Sequence, residues 1–251
     1  MRIAIFSDVH GNLSALEAVL QDINDRGVDE IVFAGDLCLV GPRPRACLRK
    51  VQESRIQPVY GNTDDWILGR QQAPQPLTAL AEWTLAQLSE TERAWLDGLP
   101  FSHRISPAGR SGDDLLVVHA NPRDVNQLIF PPEAEQLIRY GRIRQKDDEL
   151  DTLLEGTETA VLAFGHLHIP SERVWGRMRL INISSVSMPG DGDTRAKYGI
   201  FAWNGREWSF ERRLVAYDIA TEMDAYGQAR PPGWEKIVGT METEGCYPQN
   251  V

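Results

Sequence analysis

Five histidines are spread over 251 residues, and four of them stand where an apolar run stops. His10 follows Ile3-Ala4-Ile5-Phe6 and Ser7-Asp8, and His119 follows Leu115-Leu116-Val117-Val118. His166 and His168 follow Val161-Leu162-Ala163-Phe164 and Gly165. Asp8, Asp36 and Asn62 occupy the same kind of boundary, Asp36 after Ile31-Val32-Phe33-Ala34-Gly35 and Asn62 after Pro58-Val59-Tyr60-Gly61. One histidine so placed is ordinarily a hydrogen-bonded loop residue, but four joined by two carboxylates and an amide form a ligand set. Imidazole, carboxylate and amide oxygen suit a first-row divalent metal, and the lack of thiolates argues against a closed structural zinc site. Seven donors exceed the needs of one tetrahedral ion and suit two ions sharing a carboxylate and a water. Two metals ~3.5–4 Å apart clamp the attacking and leaving oxygens of a phosphoryl displacement. The water between them is a nucleophile without any Ser or Cys, because bound cations lower a water pKa from roughly 15.7 to about 7 in favourable cases. His103, in Phe101-Ser102-His103-Arg104, lacks that context and is assigned no role.

These residues need elements that bring strand ends together. The first sixty residues read as strand, helix, strand, helix, strand, an order that implies parallel strands, with ligands gathered beyond their carboxyl ends. The first helix has Leu13, Leu16, Val19, Leu20 and Ile23 at helical spacing, with Ser14 and Glu17 at capping-box spacing and Gly27 as its stop. A second helix is expected near Arg45 to Glu53, after a Pro-rich entry. Residues 70–98 read as a helical insertion, helical over 76–98, with a further capping box at Ser89 and Glu92. Pro131 to Gly156 is polar and helical. From Ser171 to Leu214 short runs separated by Gly176, Asn182, Gly199 and Asn204-Gly205 predict an antiparallel meander. His166 and His168, two apart, would face opposite ways on a regular strand. Past the end of one, at Gly165, they can diverge toward neighbouring ions. The expected organisation is a domain over 1–217 and a polar, helical tail over 218–251 that frays at its end.

Composition limits the partners. Thirty-six Asp and Glu against twenty-six Lys and Arg give a net charge of −10, so nucleic acid is an unlikely ligand. Cys38, Cys47 and Cys246 are too few and scattered for a disulfide framework and read as small buried apolar residues. The chain enters an apolar strand at once, with no leader pattern and no apolar stretch near the ~20 residues a membrane span needs. A cytoplasmic protein acting on a small phosphorylated substrate is expected.

Asp8-Val9-His10-Gly11-Asn12, Gly35-Asp36, Gly61-Asn62-Thr63-Asp64, Val118-His119-Ala120 and Gly165-His166-Leu167-His168 occur in that order. The series resembles the motifs of the calcineurin-like metallophosphoesterases, most closely their small prokaryotic phosphodiesterase-type branch. The resemblance runs from residue 8 to about residue 200 and implies an α/β fold, a four-layer α/β/β/α sandwich with a dinuclear metal site at the carboxyl ends of the strands. It implies that Asp8, His10 and His168 hold one ion, that Asn62, His119 and His166 hold the other, and that Asp36 bridges them. Asp36, Asn62 and Asp64 would be the catalytic set, with Asp64 orienting its neighbours instead of coordinating. The ions would be Mn²⁺, with Fe, Zn²⁺, Ni²⁺ or Co²⁺ as alternatives. The implied activity is attack by a bridging hydroxide on a phosphodiester or activated phosphomonoester. The alternatives are a phosphoprotein or phosphomonoester phosphatase, and a non-catalytic scaffold of the same fold.

Two departures shape that expectation. Many members of the family carry a His after the motif Asn, near the leaving group; here that residue is Thr63, whose hydroxyl is far too weak an acid to protonate a leaving group at neutral pH. Ser184 and Ser187 replace glycines in the block after the last His pair, where Ser185 is a candidate phosphate contact or a turn residue. Asn12, at a helix start, is a candidate anion contact or a cap. Arg43 and Arg45 could face a phosphate, with a solvated helix start as the alternative. Arg195 and Lys197 are candidates for substrate anions or for ion pairs with nearby acids.

Overall fold

The computed structural model describes residues 1–243. Two five-stranded sheets carry the chain. One has the order β10-β9-β1-β2-β3, built from β1 (Arg2–Phe6), β2 (Glu30–Ala34), β3 (Ile56–Val59), β9 (Ala196–Trp203) and β10 (Trp208–Val215). The other has the order β4-β5-β6-β8-β7, from β4 (Ser102–Ile105), β5 (Leu115–Val118), β6 (Val161–Phe164), β7 (Ser171–Trp175) and β8 (Met178–Asn182). β1, β2 and β3 are parallel, as are β5, β6 and β8. Each sheet therefore has a parallel trio, at one edge of the first sheet and in the middle of the second, whose loops leave from one end.

The apolar runs are continuous because both faces of these strands are buried. Ile3, Ile5, Val32, Ala34 and Val59 of the first sheet meet Leu115, Val117, Val161, Ala163 and Ile181 of the second. The alternate residues turn outward, where Ala4, Phe6 and Phe33 pack under α1 (Leu13–Arg26) and α2 (Pro44–Glu53). Leu116, Val118, Leu162 and Phe164 pack with Leu150, Leu153 and Leu154 of α7 (Glu149–Leu154). The layers run helix, sheet, sheet, helix, the expected α/β sandwich.

Several local expectations shift. α1 starts at Leu13 and its cap is Asn12, whose Oδ1 accepts from Ala15 N at 2.9 Å; Ser14 lies within the first turn. Gly27 ends that helix in left-handed backbone, φ 60°, as the sequence predicts. Residues 76–98 hold α4 (Thr78–Gln87) and α5 (Glu90–Asp97), after a short α3 (Asn62–Ile67), and the Ser89–Glu92 box forms. Leu80, Ala81, Leu88 and Leu96 pack into the cluster under α1 and α2. The stretch from Pro131 is two short helices, α6 (Glu133–Tyr140) and α7. The single meander becomes two hairpins on different sheets: β7–β8 joins the second, and β9–β10 joins the first through an antiparallel β1–β9 pair. What divides them is β8, which takes a parallel place beside β6, a long-range pairing with no local signal. The tail forms α8 (Ile219–Ala229) and α9 (Trp234–Thr243). Cys38 and Cys47 are buried free thiols, while Cys246 and the expected fraying lie outside the described residues. Among the described residues, no helix is long and apolar enough to cross a membrane.

Candidate metal centre

The loops after β1, β2, β3, β5 and β6 converge. Asp8, His10 and His168 place ligand atoms within 4.8 Å of one another, and so do Asp36, His119 and His166. In the first group His168 Nε2 lies 3.1 Å from Asp8 Oδ1 and 3.2 Å from His10 Nε2. In the second, His119 Nε2 lies 2.8 Å from Asn62 Oδ1 and 3.2 Å from His166 Nδ1. Asp36 stands between them, Oδ2 at 3.7 Å from His10 Nε2 and Oδ1 at 3.4 Å from His119 Nε2. All seven sequence-derived ligand candidates are thus brought together, and His103 instead pairs with Glu30 at 2.6 Å.

The imidazoles are aimed. His10 Nδ1 donates to Leu39 O at 3.1 Å, His119 Nδ1 to Ala34 O at 2.9 Å and His166 Nε2 to Asn126 O at 2.9 Å. His168 bonds the Met188 backbone. A carbonyl only accepts, so each ring's proton sits on the outer nitrogen and a lone pair faces its neighbours. Lone pairs 2.8–3.2 Å apart repel unless a cation lies among them. The donor set therefore fits divalent metal, and imidazole with carboxylate and amide oxygen fits a first-row ion. Burial, then the adjacent His119, lowers His166 to about 4, which keeps its ring neutral for coordination. Burial acts to raise the Asp8 carboxyl, but the adjacent imidazoles of His168 and His10 outweigh it and hold it well below its usual range.

Backbone strain is concentrated here. Asp8 (φ 58°), His10 (φ 48°), Asp36 (φ 65°), His166 (φ 62°) and His168 (φ 61°) all adopt left-handed backbone that non-glycine residues seldom enter. The surroundings must hold them there. Ser185 Oγ donates to Asp8 O at 2.9 Å and Ser187 N does so at 3.2 Å, while Ser184, itself at φ 71°, donates its Oγ to His168 O at 2.7 Å. Asp64 ties the β2 and β3 loops, accepting from Gly61 N at 2.8 Å, Asp36 N at 3.2 Å and Leu37 N at 3.3 Å. Burial, and next the Asp36 carboxylate, push Asp64 up to about 7.

The remaining candidates have other partners. Ser185 is fully buried and, besides Asp8 O, accepts from Met188 N at 2.8 Å, so it shapes the loop. Asn12 caps α1, and its Nδ2 donates to Tyr217 OH and Ser187 Oγ. Arg43 Nη2 is engaged by Glu222 and Ser14, and Arg45 pairs with Glu92. Arg195 pairs with Asp193, and buried Lys197 with Asp191 at 3.0 Å. Thr63 N donates to Asp36 Oδ1 at 2.9 Å, while its buried Oγ1 has no hydrogen-bond partner.

Two positions escaped the sequence reading although they carry a signal. Gly61 and Gly165 directly precede candidate ligands, and a Cβ on either would lie 2.2 Å from a carboxylate oxygen of the candidate set, Asp36 Oδ1 or Asp8 Oδ2. A Gly before each of Asp36, Asn62 and His166 was visible; what each glycine approaches was not.

Comparison with known proteins agrees with this geometry. The sequence profile of the calcineurin-like phosphoesterase superfamily domain matches residues 1–205. The chain is 29% identical over 238 residues to the uncharacterized protein MJ0912 of Methanocaldococcus jannaschii, covering 92% of this chain and 94% of that one. Among solved structures it is similar to a metallophosphoesterase from Sphaerobacter thermophilus at 30% identity and TM-score 0.70, covering 98% of this chain and 99% of that one. It shares its fold with the hypothetical protein PH1004 of Pyrococcus horikoshii, at 17% identity and TM-score 0.76, with 96% and 97% covered.

Proposed function

Because this chain belongs to the calcineurin-like phosphoesterase superfamily, we propose that it is a dinuclear hydrolase of small phosphodiesters or activated phosphomonoesters. The observation that carries the reading is Asp36, whose two carboxylate oxygens face different ligand groups, one at His10 and the other at His119. Asp8, His10 and His168 would hold one cation, and Asn62, His119 and His166 the other, with manganese the first choice for this oxygen and nitrogen donor set. When bound, such a pair supplies positive charge to the phosphoryl oxygens and an acidified water.

The chain's own residues set the geometry and the limits. Buried Asp8, Asp36, Asn62, His10 and His119 form the floor, and His166 and His168 are the more exposed ligands. Asp64 holds the Asp36 and Gly61 backbones in register. Thr63 supplies no proton at neutral pH, which favours esters whose leaving group departs unprotonated. A small substrate in the cytoplasm accords with the acidic charge of −10 and the free buried Cys38 and Cys47.

The test is a paired assay of chelated and Mn²⁺-reconstituted protein on bis(p-nitrophenyl) phosphate and p-nitrophenyl phosphate, with metal content recorded. About two metal equivalents and metal-dependent turnover, faster on the diester, are expected. Full turnover after chelation would overturn the proposal. Thr63→His should raise turnover on alkyl phosphomonoesters by up to the roughly 10²-fold lower end of general acid catalysis. No gain would mean that leaving-group protonation does not limit the reaction.

A further inference from the structure

His10 is held between two loops, one after β1 and one after β2. His10 N donates to Asp36 O at 3.0 Å, its Nδ1 to Leu39 O at 3.1 Å, and Gly11 N to Leu37 O at 2.8 Å; Arg43 N returns to Gly11 O at 3.2 Å. The loops are so close that a Cβ on Gly41 would lie 2.2 Å from His10 O. Each carries a residue in left-handed backbone, His10 and the β-branched Val40 at φ 94°, so neither loop holds this shape by local preference.

Their far ends are fastened by a carboxylate from beyond residues 1–205, the stretch that the superfamily profile matches. Glu222, in α8, is fully buried. Its Oε2 accepts from Ser14 N, in the first turn of α1, at 3.2 Å and from Arg43 Nη2, at the end of the second loop; Arg43 Nη2 also donates to Ser14 Oγ at 2.7 Å. Just before α8, Tyr217 OH accepts from Asn12 Nδ2 at 3.3 Å. The ties flank His10. In the other group His119 is oriented by Ala34 and His166 by Asn126, while Asp36, although on the second loop, is held as well by Asp64 and by Thr63 N.

We propose that Glu222 is a positioning residue for the Asp8, His10 and His168 group, which makes α8 part of the framework of the metal centre instead of a separate tail. The inference rests on the dinuclear reading above. Removing Glu222 leaves Arg43 without its carboxylate and Ser14 N without its acceptor, so the two loops can separate and His10 loses its aim.

The experiment is calorimetric titration of the metal-free full-length protein with MnCl₂, with far-UV circular dichroism as the fold control. Glu222→Gln keeps an oxygen acceptor but loses the charge. It should weaken one of the two manganese equivalents about 10-fold, the lower end for groups that orient metal ligands, and leave the other within about 2-fold. Tyr217→Phe should weaken the same equivalent by less, and Glu222→Ala by more if it folds. Combining Glu222→Gln with His10→Ala should leave the surviving equivalent as it is in His10→Ala alone. Unchanged affinities with a lowered Tm, or equal weakening of both equivalents, would overturn the proposal. A wild-type protein that takes up fewer than two equivalents overturns the dinuclear reading itself, and does so before any variant is compared.

Discussion

Asp36→Asn abolishes hydrolysis of bis(p-nitrophenyl) phosphate, by on the order of 10³-fold or more, while the far-UV spectrum stays that of the wild type. The two halves of this expected result have separate causes. Asp36 Oδ1 accepts from Thr63 N at 2.9 Å, and an asparagine oxygen can keep that bond, so the start of α3 stays in place. The asparagine nitrogen then faces His10, 3.7 Å from the present Oδ2, and presents two N–H donors where a shared anionic ligand is needed. The group loses one negative charge and one lone-pair donor together. Single preorganised electrostatic contacts at reacting centres are worth about 10²–10³-fold, and this change affects both ion positions at once. Steady-state turnover with saturating Mn²⁺, beside a metal analysis, makes the check. A variant with near wild-type turnover and two metal equivalents would remove the sharing role of Asp36.

The candidate ligands are legible in the sequence because their signal is local. Each lies within a few residues of an apolar run, and a buried run followed by Gly, Asp or His marks the carboxyl end of a strand at which sites form. The same reading fails where the partner is distant. Arg43 looks like a free cation beside the Asp36 loop, but its carboxylate stands 179 residues further on, at Glu222. Ser14 and Glu17 have capping-box spacing, yet Asn12 takes the cap because the helix leaves the His10 loop two residues sooner. In sequence the hairpins of 171–214 look like one meander, since nothing near Met178–Asn182 announces that this strand pairs in parallel with β6. The left-handed backbone at five candidate ligands is also hidden, because Asp and His do not advertise positive φ as glycine does.

That strain leads to the second large effect, at a residue with no functional group. Gly165→Ala should cost both metal positions and most of the activity. The added Cβ would lie 2.2 Å from Asp8 Oδ2 and 2.2 Å from Ser7 Oγ, distances that no packing tolerates, and both atoms belong to buried side chains. Ser7 Oγ is fixed to Ala34 O at 2.8 Å, the carbonyl that also receives His119 Nδ1. Asp8 Oδ2 accepts from His166 N at 3.0 Å, and its Oδ1 faces His168. Gly165 cannot retreat freely, because its N donates to His119 O at 2.9 Å and its O accepts from Asn182 Nδ2 at 2.7 Å. The clash therefore resolves by rotating Asp8, which removes its oxygen from the first group, or by shifting His166, which removes a nitrogen from the second. Overpacking of this kind costs about 1–3 kcal/mol, a Tm loss of roughly 2–12 °C at ~2–4 °C per kcal/mol in a chain this long. The fold should survive and the centre should not. Calorimetric manganese titration together with a thermal melt separates the two, and Gly165→Ala protein with two tight equivalents and full turnover would show that the close approach of Gly165 to Asp8 does not hold the centre in shape.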